Sequence, residues 1–272
     1  MPFLWRCAFA FLLVCLPVAL SQQAAAAAYA PSSVPCPPGI DLVRHVGTSQ
    51  TLNTDEEAYV TARTSKVLPQ AWAEYLSNVQ ATANVSRITL PAYLTQILGG
   101  RNPFHFPRLA ITTSGGGYRS AIFAAGVINA LDGRNQTSAS AGTGGLLQSA
   151  TYVTGLSGGS WFLGSLMQAG FPTMYDLVMG PAFSTRADDF GGWVTSIDLL
   201  QPSSDPQLLE AFIGLVLEEV SGKAMAGFPI TATDIWGRSL ARHFANGTTE
   251  ANFFDGTLPH GAGITLSGLI NL

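Results

Sequence analysis

The chain has 272 residues, 47% hydrophobic and only 11% charged, which suits a folded body with a sizeable core and argues against a disordered polymer. Its net charge is −4 and no basic cluster is present, which excludes the phosphate-neutralising surface of a nucleic-acid binder.

Residues 1–20 read as a secretory signal. Arg6 supplies the positive start, and the apolar run from Ala8 to Leu20 is too short to span a bilayer as a helix. Ala19-Leu20-Ser21 and the run Ala24 to Ala28 offer cleavage sites. A secreted or cell-surface protein is therefore expected. Residues 21–35, rich in Ala, Ser and Pro, read as a linker to a domain over 36–272. Cys7 and Cys15 fall within the signal, so Cys36 is left as a buried free thiol or as one half of a bond to chain outside this sequence. The sequons at Asn84, Asn135 and Asn246 fit passage through the secretory pathway and make these residues candidate glycosylation sites.

Residues 36–100 are expected to be mostly helical. Thr54-Asp55-Glu56-Glu57 reads as a capping box that opens a helix to about Leu68, before Pro69. Gln70 to Leu76 continues it as a second piece, and Pro91 to Leu98 forms a further short helix stopped by Gly99-Gly100. Leu109 to Thr113 reads as a buried strand, followed by Ser114-Gly115-Gly116-Gly117-Tyr118-Arg119 and a buried helix that Asp132-Gly133 ends. Three successive glycines let backbone N–H groups point into one space without side chains in the way, which suits an oxyanion. Arg119 falls in the first helical turn, where a cation opposes the helix dipole, so its use there is to bind an anion such as phosphate.

Residues 134–145 are small and polar and read as an exposed loop, with a short helix expected from Gly145 to Thr151. Tyr152-Val153-Thr154 reads as a strand, and Gly155-Leu156-Ser157-Gly158-Gly159-Ser160-Trp161 carries the spacing G-x-S-x-G before a helix ending near Gly170. A serine on a sharp strand-to-helix turn is pushed outward beside a positive helix end, which is the geometry of an activated nucleophile. Taken alone, the stretch is equally a glycine-rich turn. Residues 173–205 read as irregular. Asp205-Pro206 caps an amphipathic helix with Leu208, Leu209, Phe212, Ile213, Val216 and Val220 on its apolar face and Gly222 at its close. Thr233-Asp234 is expected to cap a last helix that ends near Asn246-Gly247. Asp188-Asp189 is a solvated pair without a third ligand at useful spacing, so no metal and no cofactor is expected.

The two glycine stretches, Gly-Thr-Gly-Gly-Leu-Leu-Gln at 142–148, Thr233 to Arg238 and the entry from Cys36 to Val60 together resemble the fungal phospholipase B (lysophospholipase) family, which is related to the catalytic domain of cytosolic phospholipase A enzymes. The resemblance covers roughly residues 36–272. It implies an α/β fold with a central sheet and flanking helices, patatin- or cytosolic-phospholipase-like, and a Ser–Asp dyad that hydrolyses fatty-acyl esters of glycerophospholipids. By the same resemblance Ser157 is the nucleophile, Gly116 and Gly117 supply oxyanion-hole amides, and Arg119 holds the lipid phosphate. The partners implied are a lysophospholipid or phospholipid and the membrane or micelle that carries it. The family's acid lies in Asp-Gly-Gly downstream of the serine. Here Asp132-Gly133-Arg134 precedes the serine and Asp255-Gly256-Thr257 lacks the second glycine, so an N-terminal part, incomplete at its C-terminus, is expected. Two other readings stand beside it. One is a catalytically inactive secreted lipid-binding fragment. The other is an α/β-hydrolase esterase with Ser157, Asp205 or Asp234, and His243 or His260 as a triad.

Overall fold

Strand β1 (Leu109–Thr113) and strand β2 (Ala150–Gly155) pair in parallel, with Ala110 opposite Tyr152 and Thr113 opposite Gly155, and a shift in register at Leu109/Ala110. The chain between them crosses over through helices α4 (Gly117–Leu131) and α5 (Gln136–Ser140). Before β1 come α1 (Thr54–Ala62), α2 (Leu68–Ser86) and α3 (Ala92–Gly99). After β2 come α6 (Gly158–Gln168), α7 (Met174–Met179), α8 (Pro206–Met225) and α9 (Ala232–Phe244). This computed structural model describes residues 26–27, 29–36, 38–39, 51–99, 106–180, 191–199 and 201–244. The architecture is mixed helix and parallel sheet, in line with the expected α/β class, and the described sheet has two strands. The signal at 1–20, the Asn246 sequon, Asp188, Asp189, Asp255 and His260 lie outside the described residues. Among the described residues no helix is long and apolar enough to cross a membrane.

The chain divides into two compact units, Pro35–Leu163 and Gly164–Asn271 with Met1–Val34. In the first, Leu68, Trp72, Leu76 and Phe106 form a buried cluster, with Tyr75, Leu94, Leu109 and Leu146 packed against it. Leu68 and Leu76 are almost wholly buried, and each contributes about 1.5–3 kcal/mol by leaving water. This cluster ties the N-terminal helices to the start of β1. The tie to β2 is polar. Arg63, buried, donates from Nε to the Ala150 carbonyl at 2.8 Å and from Nη2 to the Gln148 carbonyl at 2.8 Å. Tyr59 donates its hydroxyl to the Thr151 carbonyl at 2.6 Å.

Several sequence expectations need correction here. The first helix is capped by Asn53, whose side chain accepts from the Asp55 N–H at 2.8 Å, and not by Thr54. Pro69 does not end the helix. A π-turn over Arg63–Val67 precedes α2, and the Leu68 N–H reaches back to the Arg63 carbonyl. Proline lacks an N–H and crowds the carbonyl four residues back, and one wider turn before it relieves that crowding. The second piece then runs to Ser86, ten residues past the expected Leu76.

Residues 134–145 are not an exposed loop. They contain α5, capped by Asn135, and pack on α2 through Asn78, which donates to the Gly144 carbonyl at 2.9 Å. The expected helix from Gly145 to Thr151 is a run of turns, and β2 starts at Ala150.

In the second unit, the region read as irregular holds α7, whose cap is Thr173. On α8 the buried residues are Phe212, Val216, Glu219, Val220 and Gly222, while Leu208 and Ile213 are exposed. Glu219 is buried because Arg238 and Arg242 of α9 pair with it at 2.9 and 2.6 Å. Gly222 does not close α8. It lies inside the helix, and the Ala26 carbonyl presses on its α-carbon. Within the stretch read as a linker, Tyr29 also docks, with its hydroxyl 3.0 Å from Asp234 and its ring under Arg238. The α9 cap is two residues earlier than expected. Asp234, at the third helical position, accepts from the Thr231 N–H at 2.7 Å and from its hydroxyl at 2.9 Å. Cys36 is a free, exposed thiol, so the buried alternative falls.

The sequons behave differently. Asn84 is exposed at the end of α2. Asn135 is bound in place, with Oδ1 accepting from the Thr137 N–H at 3.0 Å and Nδ2 donating to the Asn129 carbonyl at 3.3 Å. In protein made in a host that attaches no N-glycans, Asn135→Ala is expected to cost about 1 kcal/mol, the usual loss of a helix cap. Asn84→Gln should fall within about 0.5 kcal/mol of the parent, as exposed substitutions do. Urea unfolding of the two variants checks the contrast, and equal stabilities would contradict it.

Candidate active site

The site begins with a backbone that only its glycines permit. Ser157 has φ +51°, in the left-handed region that costs a side-chain-bearing residue of order 1 kcal/mol. It sits between the end of β2 and the first residue of α6, and it is exposed. The turn is closed by Leu156, whose N–H donates to the Thr113 carbonyl at 3.0 Å, and by the Ser160 and Trp161 N–H groups, which donate to the Ser157 carbonyl at 2.7 and 3.0 Å. Thr113, at the end of β1, donates its hydroxyl to the Thr154 carbonyl at 3.1 Å. The ends of both strands are thus stitched to the turn.

The upstream glycine loop packs directly on this turn. A β-carbon at Gly115 would lie 2.9 Å from the Ser157 β-carbon. One at Gly158 would collide with the Gly117 carbonyl oxygen and lie 2.9 Å from the Gly117 nitrogen. One at Gly159 would lie 2.5 Å from the Thr113 carbonyl oxygen. Gly116 (φ +143°) and Gly117 (φ +63°) lead into α4, and Gly116 occupies the cap position without a side chain to fill it. Two helix N-termini, those of α4 and α6, therefore meet beside the Ser157 hydroxyl. The positive ends of their dipoles favour negative charge at that point. The sequence-predicted Ser157, Gly116 and Gly117 are brought together. Arg119 lies in the first turn of the same α4 and is exposed.

The aspartates are otherwise engaged. Asp132 is buried. Burial raises its pKa, but hydrogen bonds from Arg134 and Gln148 outweigh that and hold its carboxyl below the usual carboxylate range. Gln148 donates to Asp132 at 2.8 Å and accepts from the Gly133 N–H at 2.9 Å, so the 142–148 motif clasps the end of α4. In the sequence, the spacing between a glutamine and the Asp-Gly that ends a helix is the only sign of that role.

Among described residues after Ser157, Asp176 accepts from Thr173, Asp198 from the Gln201 N–H, and Asp205 from the Gln207 N–H. Asp234 takes Lys223 at 2.7 Å as well as Thr231 and Tyr29. The Lys223 ammonium and the Thr231 donors hold its carboxyl well below the usual carboxylate range.

His243 is buried, and burial lowers its pKa. Its Nδ1 donates to the Val194 carbonyl at 2.7 Å. None of these carboxylates orients the imidazole through that nitrogen, so His243 does not form the orienting bond of a triad with Asp205 or Asp234. Among the described residues no three His, Cys, Asp or Glu side chains gather to hold a metal ion.

Residues 109–258 match the model of the lysophospholipase catalytic domain family. The chain belongs to that family. The match opens at β1 and takes in both glycine motifs. Among curated proteins, the chain is 37% identical over 221 residues to a lysophospholipase of Penicillium chrysogenum, covering 80% of this chain and 34% of the relative. It is 32% identical over 242 residues to lysophospholipase 3 of Saccharomyces cerevisiae, covering 89% of this chain and 32% of the relative. It is 34% identical over 259 residues to a probable lysophospholipase 5 of Schizosaccharomyces pombe, covering 89% and 36%. The chain thus spans about a third of the length of these lysophospholipases. No solved structure matches it.

The interlock of turn and loop has a direct test within α6. Gly159→Ala puts a β-carbon against the end of β1 and is expected to destabilise by about 2–3 kcal/mol, as overpacking does. Gly164→Ala, in the same helix with open space around it, should be neutral or stabilise by up to about 1 kcal/mol. Chemical denaturation of both variants measures the difference, and a Gly159→Ala protein as stable as the parent would contradict the packing described.

Proposed function

We propose that the protein acts as a lysophospholipase/phospholipase B, hydrolysing fatty-acyl esters of lysoglycerophospholipids and glycerophospholipids. The observation that carries this reading is the packing of Gly115 against Ser157 and of Gly117 against Gly158, which sets an exposed serine between two helix N-termini. Family membership and relatives named as lysophospholipases support it.

In this reading Ser157 Oγ attacks the ester carbonyl carbon, and negative charge develops on the carbonyl oxygen. The amides of Gly116 and Gly117 stabilise that oxyanion. The bond to the glycerol oxygen then breaks, that oxygen takes a proton, and the acyl group stays on Ser157 until water releases it as a fatty acid. A Ser–Asp dyad moves the proton. Each described aspartate after Ser157 already serves a turn or a helix start, so the dyad's acid comes from outside the described residues. Arg119, exposed on the first turn of α4, pairs with the lipid phosphate.

The reading extends to a patatin- or cytosolic-phospholipase-like fold, to substrate taken from a membrane or micelle surface, and to secretion through the signal at 1–20 with glycan on Asn84. The engagement of the described aspartates also favours a second reading, a lipid-binding protein that turns nothing over.

Turnover of two substrates tests the assignment. Ser157→Ala should abolish hydrolysis, by at least about 10⁴-fold given the scale of nucleophile loss in serine hydrolases. Arg119→Lys should lower lysophospholipid turnover by about tenfold or more, since loss of a bidentate charge pair costs about 1.5–3 kcal/mol. Its effect on a phosphate-free acyl ester should stay within about twofold. Unchanged turnover in Ser157→Ala would remove the nucleophile. Equal losses on both substrates in Arg119→Lys would remove the phosphate role. Lysophospholipid binding without Ser157-dependent turnover would establish the second reading.

A further inference from the structure

We infer that Trp161 is a positioning residue for the oxyanion-binding backbone, acting through Gly117 with Tyr118 as its partner. The inference rests on the ester-hydrolase reading of the same site and adds a residue that the reading does not use. Trp161 lies four residues after Ser157, in the first turn of α6. A long side chain there folds back over the turn that precedes its own α-carbon. Its six-membered ring comes to the face of Gly117 where a β-carbon would stand, with Cη2 and Cζ3 both 3.9 Å from that position.

Gly117 is thereby held from two directions. The Gly158 α-carbon packs on its carbonyl, and the Trp161 ring closes its other face. Tyr118, the next residue, meets Trp161 edge to face, with ring centroids 6.1 Å apart at 75°. Such a pair contributes beyond the area it buries and fixes the mutual orientation of the segments that carry it.

Both rings are half-buried, in contrast to Phe162, Leu163 and Leu166 on the packed face of α6, which are buried. Trp161 therefore lies beside the site, outside the packed interior of its helix. The left-handed Gly117 (φ +63°) has no side chain of its own to fix it, so a rigid neighbouring surface decides where its N–H points. An oxyanion donor displaced by a fraction of an ångström loses much of its value, because its worth depends on geometry set before the charge forms.

The test compares oxygen and thiono esters in the full chain. Sulfur at the carbonyl position is a weak, badly sized acceptor, so turnover of a thiono ester draws little on the oxyanion amides. Trp161→Ala should lower kcat for the oxygen ester by about 10–100-fold, less than the 10²–10³ lost with a whole donor, with KM within about twofold. Its effect on the thiono ester should be within about threefold, since that substrate makes little use of the donors. Trp161→Phe, which keeps an aromatic surface, should recover most of the oxygen-ester rate. Tyr118→Leu loosens the contact from its other side and should give the same selective loss. It also carries the test if Trp161→Ala does not fold. Equal losses on the two esters, a loss confined to KM, or no loss at all would overturn the inference while leaving the hydrolase reading in place. A parent chain that turns over neither ester, or does so without Ser157, would remove that reading and this inference with it.

Discussion

Everything at the site depends on backbone meeting backbone where side chains are missing. The Gly158 α-carbon rests on the Gly117 carbonyl, and Gly115 rests on Ser157. A single β-carbon on the glycine side of either contact would drive the loop after β1 away from the turn after β2. The contact also explains why the strands pair as they do. β1 and β2 run parallel, so their C-terminal ends lie side by side, and Thr113 pairs with Gly155 just before both chains turn into helices. Parallel pairing thus delivers two helix starts to one place, and the glycines let them come close enough to act on one atom.

The N-terminal helices hold the other end of the same strand. Arg63 and Tyr59 bind the Gln148, Ala150 and Thr151 carbonyls, and Gln148 reaches across to Asp132 at the end of α4. Arg63 is buried and spends its donors on backbone oxygens. The cost of burying its charge is offset by these hydrogen bonds to backbone carbonyls. The π-turn that begins at Arg63 is how the chain passes Pro69 without ending in a break. A proline in α2 and the anchoring of β2 are in this way parts of one local arrangement.

The site was more legible in the sequence than the packing around it. Runs of apolar residues beside glycine clusters marked β1, α4, β2 and α6, because strand-to-helix turns that need small residues leave that signature over a few adjacent positions. The family resemblance rested on the same stretches. What escaped was set by contacts distant in sequence. Residues 134–145 looked like a polar loop, yet Asn78 and Thr82 of α2 hold them. Glu219 of α8 is buried by its pairs with Arg238 and Arg242 of α9, which no pattern within α8 marks. The caps at Asn53 and Thr231 were misplaced by one and two residues, because each lies among several residues able to cap and only the side-chain bond decides. Asn135, read as a sequon, is also a helix cap, a role its sequence context did not single out.

The central claim is that one serine, held at a left-handed turn between two helix N-termini, is the reactive atom of this fold. Peptide mapping after incubation with an alkyl fluorophosphonate tests it most directly, because the probe bonds to an activated serine oxygen and the digest reports which one. The account predicts a single adduct, on the peptide that contains Ser157, and no adduct in a Ser157→Ala chain. An adduct on another serine, or the same adduct pattern in the Ser157→Ala chain, would contradict it.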